Sequence, residues 1–218
     1  MKIFVLVVLL CFSLSCTSKS KKAVAEKTLL SMEKLDIKIG SAGTPEQMAG
    51  PIMQLKTTDP APELLSLLEQ EPLFKLNKPV EELLLVKNEK DELGFQHLTY
   101  GRVHKGIEIW GDEIKFHIND KNELYRMDGV YQPSLPDNFS TAPKLTKKEA
   151  EESAKQKLAL AFVHQDETKL FIFPSDSGYK NAWRVIVAKA RLAPDQWECL
   201  VDAESGDILF KSNLLRTN

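Results

Sequence analysis

Residues 105–122 read KGIEIWGDEIKFHINDKN, and this stretch decides the fold of the chain. Lys105 and Gly106 are typical of a turn, residues 107–118 are rich in β-branched and aromatic side chains, and the polar run 119–122 is typical of a second turn. A strand enclosed by two short turns pairs with the strands that precede and follow it. The stretch therefore predicts the centre of an antiparallel meander.

Strand patterns occur on both sides of this stretch. Residues 83–87 and 94–103 precede it and residues 124–131 follow it, which predicts a curved sheet of short strands. The chain before residue 83 is harder to interpret, because Gly and Pro interrupt its apolar positions. Residues 63–71 follow a proline pair and predict a helix. Residues 27–82 are therefore expected to form a helical or irregular region.

A second unit is predicted beyond a proline-containing crossing at residues 132–144, which is a candidate domain boundary. Thr146 and Glu149 have the spacing of a capping box at the start of a helix. Ala150 and Ala154 then repeat at helical spacing, so this helix is expected to lie close against a sheet. Four strand patterns follow it, and the whole chain is predicted to be α+β, with antiparallel curved sheets and packed helices.

The strand region resembles the fungalysin/thermolysin propeptide motif. The likeness rests on residues 91–98, on residues 102–114, and on the segment 117–119. Glu108 stands where that family usually has proline, and Arg102 stands where it often has an aromatic residue or glutamine. The resemblance assigns residues 83–135 to a propeptide domain and implies that the domain helps a thermolysin-like zinc metallopeptidase to fold and holds it inactive.

The second unit resembles the PepSY module that follows this motif in the same pro-regions. Residues 145–150 are similar to the start of its helix, and residues 182–185 and 197–209 are similar to its strands. The resemblance assigns residues 144–214 to this module and implies a cystatin-like fold for both units. In that family the peptidase domain follows, so this chain is expected to be a pro-region without its peptidase.

The N-terminus is predicted to direct the chain out of the cytoplasm. Lys2 precedes an apolar run, and Ser15 precedes Cys16 and a polar segment. This pattern is similar to a lipoprotein signal in residues 1–15, with Cys16 as the lipidated residue and residues 16–26 as a tether. Ordinary cleavage near Ser15, which would give a secreted soluble protein, is the alternative.

No catalytic set is found in the sequence. The formal net charge is −2, which gives no reason to expect nucleic acid as a partner. The four histidines lack metal-ligand spacing, so neither a metal nor a cofactor is expected, and His97 and His117 are interpreted as ordinary strand residues. Cys199 lies in an alternating strand pattern and is interpreted as a small buried apolar residue. The protein is not expected to be an enzyme.

Three functions remain open from the sequence. The first is a secreted pro-domain that inhibits a thermolysin-like metallopeptidase in trans or assists its folding. Leu214 and Leu215 are then candidates to contact the peptidase, because thermolysin-like enzymes favour a bulky apolar residue after the cut, although packing of the last strand explains these leucines equally well. The second is a lipid-anchored binding module of the cell envelope, held to the membrane through Cys16. The third is the remnant of a split metallopeptidase precursor.

Overall fold

The computed structural model describes residues 34–176 and 178–215. Eleven strands lie within these residues: β1 Asp36–Ile39, β2 Pro45–Gln54, β3 Leu83–Lys90, β4 Gln96–His104, β5 Ile107–Ile118, β6 Glu123–Val130, β7 Phe162–Val163, β8 Lys169–Ser175, β9 Gly178–Ala188, β10 Gln196–Asp202 and β11 Ile208–Asn213. Three α-helices accompany them: α1 Ala61–Gln70, α2 Pro79–Glu82 and α3 Lys147–Leu158.

The strands form one open sheet in the order β1-β2-β6-β5-β8-β9-β10-β11, with β3 and β4 on a branch beside β5, and β7 beside β9. Strand β5 belongs to both halves of this sheet. Its residues 113–118 pair with β4 and β6. In its first part, Ile107 and Glu108 pair with the end of β4, and Ile109 pairs in parallel with Ile172 of β8. Gly111 separates the two parts and has a φ of 78°, which favours glycine. The predicted α+β class is confirmed, and β5 joins the two predicted units.

Helix α1 closes the N-terminal core with leucine side chains. Leu64 and Leu68 are fully buried and belong to one apolar cluster with Leu98, Ile114 and Phe116 of the sheet. Because successive strand residues point to opposite faces, these sheet residues all lie on the side that α1 covers. The other side of β3 to β6 is left without a helix in the described part of the chain.

Helix α3 closes the C-terminal core with alanines. The predicted capping box is present: the Glu149 backbone N–H donates to the Thr146 hydroxyl at 3.3 Å, and the Thr146 N–H donates to the Glu149 carboxylate at 2.7 Å. Ala150 and Ala154 are fully buried and share an apolar cluster with Val185, Val187, Cys199 and Val201. The small side chains allow the helix backbone to approach the sheet closely.

Buried charges lie in the N-terminal half, beside the point where the chain enters the proline-containing crossing. Arg102 is 1% exposed; its guanidinium donates to Glu82 at 2.9 Å and lies 3.8 Å from Asp112. The Asp112 carboxylate accepts the backbone N–H of Gln132 at 2.9 Å. Burial raises the pKa of Asp112 to about 6, and this effect outweighs the nearby guanidinium. The proline-containing crossing is therefore fixed at its first residue, Gln132, by a bond to a buried carboxylate.

Of the region 27–82 that was expected to be helical or irregular, the structure describes residues 34–82, and these differ in part from the expectation. The expected helical or irregular character holds for α1 and α2, but β1 and β2 are strands, and β2 pairs with β6. The pairing slips between Ala49 and Met53, where Gly50 has a φ of 123°. A bulge of this kind breaks the two-residue alternation by which a strand is recognised in a sequence. Pro45 and Pro51 add to the irregularity, so the segment does not look like a strand.

Candidate protein-binding surface

The side of β3 to β6 that faces away from α1 is called the open face here. Its centre consists of His97, Thr99 and Gly101 on β4 and Glu113, Lys115 and His117 on β5. These six residues are cross-strand partners in three rows, and none of them is buried. Asp112 and Glu113 point to opposite sides of β5: Asp112 is buried, whereas Glu113 lies on this face.

Apolar side chains line the β3 side of the open face. Leu84 is 50% exposed and Val86 is 66% exposed, and β3 pairs only with β4 among the described strands. A Cβ atom on Gly101 would lie 3.2 Å from a methyl group of Val86. The Val86 side chain therefore packs over the backbone of Gly101, where a larger residue would crowd it. Unpaired edge strands with exposed apolar residues are readily extended by a partner chain.

An aromatic group extends this surface toward the C-terminal half. The Trp110 ring lies 5.2 Å from the Phe171 ring and 6.0 Å from the Phe210 ring, measured between centroids. It borders a shallow depression of about 480 Å³ that also includes Leu84 and Val86. A second depression of about 350 Å³ reaches His97 and His117. Val86, Thr99 and Glu113 line both depressions, so the two adjoin on the open face.

A chain of titratable groups crosses the polar part of the open face. The Nδ1 atoms of His97 and His117 lie 2.7 Å apart. The Nε2 atom of His97 lies 3.2 Å from Asp91, and that of His117 lies 3.1 Å from Asp128. Burial lowers the pKa of His117. The hydrogen bond from Arg126 lowers the pKa of Asp128, so this carboxylate is ionised at neutral pH.

The described residues contain no group of three His, Cys, Asp or Glu side chains placed to hold a metal ion. Cys199 is fully buried, and burial raises the pKa of its thiol to about 12. A thiol with such a pKa is protonated and unreactive at neutral pH. The interpretation of Cys199 as a small buried apolar residue is confirmed. What the open face offers is shape, apolar contact and charge, which suit binding.

The sequence-predicted site residues fall in different places. Cys16, the signal in residues 1–15 and the tether in residues 16–26 lie outside the described residues. Leu214 and Leu215 follow β11, with side chains that are 38% and 47% exposed. The Leu214 N–H still donates to the carbonyl of Gln196 at 2.8 Å, so its backbone extends the strand pairing. In the described part of the chain, no helix is long and apolar enough to cross a membrane.

The histidine pair was not predicted from the sequence. His97 and His117 do lie in strands, but the fold places them directly opposite each other. The Lys105–Gly106 turn shows that the two strands pair, but it does not give their register. The register shifts between Gly101 and Val103, so counting outward from the turn does not pair the two histidines.

The structure alone defines the class of the protein. It is an α+β protein with a large curved open sheet, one side of which, at β3 to β6, is not covered by a helix in the described residues. Residues 81–131 match the family Fungalysin/Thermolysin Propeptide Motif, so β3 to β6 carry this motif. The matched segment contains the centre of the open face. The chain thus includes a propeptide-type segment of the kind linked to thermolysin-like peptidases.

Curated relatives support the same assignment. The chain is 30% identical over 181 residues to thermolysin of Alicyclobacillus acidocaldarius subsp. acidocaldarius, covering 78% of this chain and 33% of the relative. It is 26% identical over 150 residues to bacillolysin of Bacillus amyloliquefaciens, covering 65% of this chain and 29% of the relative. The chain therefore spans about a third or less of the length of these relatives.

Among solved structures, the Bacillus megaterium YpeB C-terminal domain is similar at 16% identity and a TM-score of 0.37. The match covers 92% of this chain and 98% of that domain. A score this low carries no inference about function.

Proposed function

We propose that this chain binds a thermolysin-like zinc metallopeptidase as a pro-region does, and that it inhibits the peptidase or assists its folding when supplied in trans. The observation that carries the proposal is the position of the propeptide motif. Residues 81–131 span the four strands that present the open face. A sheet with one side packed under α1 and the other side bare has a surface available for a partner.

The apolar part of the open face is proposed as the main contact. Leu84 and Val86 are exposed on an edge strand, and Trp110 lies beside the same depression. Apolar and aromatic side chains in a concave surface are typical of the residues that contribute most to protein binding. Lys115 and Glu113 form an ion pair with 2.7 Å between Nζ and Oε1, and we place them at the polar edge of this contact.

Titration of purified bacillolysin or thermolysin with the purified chain tests this proposal. We expect saturable inhibition with a dissociation constant below about 1 μM, which corresponds to more than about 8 kcal/mol. Gel analysis of each sample separates inhibition from slow digestion of the chain. Binding is measured in parallel to peptidase whose zinc has been removed with a chelator. Absence of both binding and improved refolding of the peptidase would favour an envelope binding module with another partner.

A pair of matched variants locates the contact. Val86→Glu places a charge on the open face, whereas Leu192→Glu makes a comparable change at a loop residue that is 92% exposed. We expect Val86→Glu to weaken inhibition by at least about tenfold, or about 1.4 kcal/mol, and Leu192→Glu to leave it unchanged. Equal effects of the two changes would place the contact elsewhere.

We further propose that Leu214 and Leu215 enter the apolar pocket of the peptidase in a nonproductive direction. Their exposure supports this, whereas the hydrogen bond from Leu214 to Gln196 ties the first of them to the sheet. Removal of residues 214–218 is expected to weaken inhibition without changing the unfolding midpoint. Unchanged inhibition would mean that these leucines only complete the last strand.

The proposed location is outside the cytoplasm, with Cys16 lipidated and residues 16–26 acting as a tether. The apolar run before Ser15 and Cys16 supports this proposal. Cys16→Ala is expected to move the protein from the membrane fraction to the soluble fraction and to abolish incorporation of a labelled fatty acid. Unchanged fractionation would favour ordinary cleavage near Ser15.

A further inference from the structure

The two imidazoles on the open face are held at both ends. His97 and His117 are cross-strand partners, with ring centroids 5.0 Å apart. Asp91 accepts from the backbone N–H groups of Leu93 and Phe95 at 2.9 Å each, in addition to its contact with His97. Asp128 accepts two bonds of 2.7 Å from Arg126, in addition to its contact with His117. The carboxylates are thus fixed in place and cannot easily follow the rings.

Counting protons shows which charge state fits this geometry. Each Nε2 atom faces a carboxylate, so each must carry a proton to donate a hydrogen bond. The two Nδ1 atoms face each other at 2.7 Å, so one of them must carry a proton and the other must accept it. The arrangement therefore needs three protons on two rings. The pair carries one positive charge, which lies between two negative carboxylates.

The other two charge states conflict with the contacts. With two protons, either both Nδ1 lone pairs face each other or one Nε2 lone pair faces a carboxylate. With four protons, two N–H groups point at each other across 2.7 Å, and two positive charges repel. The rings must then separate. Since they belong to paired strands, the movement changes the surface next to Val86 and Thr99, which border the same depression.

The surrounding charges do not remove this conflict. Glu89 of β3 is the cross-strand partner of His97, and Arg126 of β6 is the partner of His117. Lys87 and Lys115 border the same depression; they are paired with Glu89 and Glu113 at 2.7 Å. The Tyr125 ring lies 6.4 Å from the His117 ring, measured between centroids. Glu89, Glu113 and Asp128 already pair with Lys87, Lys115 and Arg126, which leaves Asp91, among the described residues, as the one carboxylate at the pair without another cation, so a second positive charge is not fully balanced.

We propose that the His97–His117 pair is a proton-operated latch on the open face, and that a second proton separates the rings and releases the bound peptidase. The proposal rests on the proposed function, because the partner is the thermolysin-like peptidase. Binding is then strongest near neutral pH and falls on acidification. The low pKa that burial gives His117 fits a second proton that is taken up only below the usual range of histidine.

The first part of the test uses the purified chain alone. The imidazole nitrogens are followed by NMR as the pH is lowered, in the wild type and in Asp91→Asn. We expect the two rings to titrate in two separated steps, with the step at higher pH moved downward in Asp91→Asn because one carboxylate is neutralised. Two independent titrations near the ordinary pKa of histidine would overturn the proposal, whatever the chain binds.

The second part measures affinity for the zinc-depleted peptidase at about pH 7.5 and about pH 5.5, for the wild type and for the double variant His97→Gln, His117→Gln. One linked proton changes the dissociation constant by up to about tenfold per pH unit. We expect the wild type to lose affinity on acidification by at least about tenfold more than the double variant. The dissociation constant of the wild type is divided by that of the double variant at each pH, because this ratio cancels the peptidase's own pH dependence.

The outcomes of the two parts are distinguishable. A wild type and a double variant that bind and respond equally to pH would overturn the latch while leaving the proposed function in place. Failure of both proteins to bind at either pH would overturn the proposed function, while the NMR titration would still report on the proton shared by the pair. Urea unfolding of the double variant establishes that it is folded, and His117→Gln alone is the second variant if it is not.

Discussion

Helix α1 covers its part of the sheet with leucines, whereas helix α3 covers its part with alanines. Leu64 and Leu68 reach into a core of large side chains, while Ala150 and Ala154 lie against valines. The opposite sides of the two sheet regions differ as well. The N-terminal region leaves its open face bare, but in the C-terminal region Ile186 and Leu200 are buried on the side away from α3.

This difference shows how the two halves divide their roles. Trp110 lies on β5, the strand shared by both halves, and its ring contacts Phe171 and Phe210 of the C-terminal half. The C-terminal sheet thus uses its second side partly to join the halves, whereas no helix covers the second side of the N-terminal sheet in the described part of the chain.

The largest expected effect concerns the buried charges of the N-terminal half. Arg102→Ala leaves Glu82 and Asp112 without their buried cation, which typically costs about 3–5 kcal/mol of unfolding free energy. Arg184→Ala is the matched change in the C-terminal half. Arg184 is 24% exposed and pairs with Glu198 at 2.6 Å, so a loss of about 1 kcal/mol is expected. Urea unfolding followed by circular dichroism measures both, and equal losses would contradict the distinction.

The second prediction concerns Leu64 and Leu68, the buried leucines of α1. Leu68→Ala removes a fully buried side chain and leaves a cavity, so a loss of about 2–5 kcal/mol is expected. Gln70→Ala, at an exposed position at the end of the same helix, is the control and is expected to change stability by less than about 0.5 kcal/mol. A small effect of Leu68→Ala would mean that the core collapses around the missing side chain.

The third prediction concerns the buried alanines of α3, where a small side chain is replaced by a large one. Ala154→Leu adds volume where the helix lies close to the sheet, which is expected to cost about 1–3 kcal/mol. Lys148→Leu adds a leucine at an exposed position of the same helix and is expected to be nearly neutral. If Ala154→Leu proved neutral or stabilising in urea unfolding, the close approach of helix and sheet would be disproved.

The smallest effect is a pH dependence that arises from Asp112. Its pKa is raised to about 6 in the folded protein, so the folded state binds this proton more tightly than the unfolded state. The stability that this proton contributes is present at about pH 4 and is lost as the pH rises through about 6. Asp112→Asn removes this dependence. The stability of Asp112→Asn relative to the wild type is therefore expected to be higher at about pH 7.5 than at about pH 4, by about 1–2 kcal/mol of unfolding free energy. An equal difference at both pH values would show that Arg102 keeps Asp112 ionised.

Much of the fold was predictable because its signals are local. The Thr146 and Glu149 capping box fixed the start of α3, and the turns around Lys105 and residues 119–122 fixed both ends of β5. The N-terminal strands were missed, since Gly50 and the slipped pairing of β2 hide the alternation. The candidate surface was missed for a different reason. Nothing in the order of residues shows that one side of β3 to β6 stays uncovered.

The sequence by itself therefore determined the class, the start of α3, most strands and the likeness to a propeptide, since each depends on residues close together in the chain. Only the tertiary structure decided that His97 meets His117, that Arg102 meets Glu82 and Asp112, and that β5 serves both halves of the sheet. These outcomes depend on strand register and on which side a helix covers. Both are set by packing between distant segments, where a slip of one residue moves every side chain to the other face.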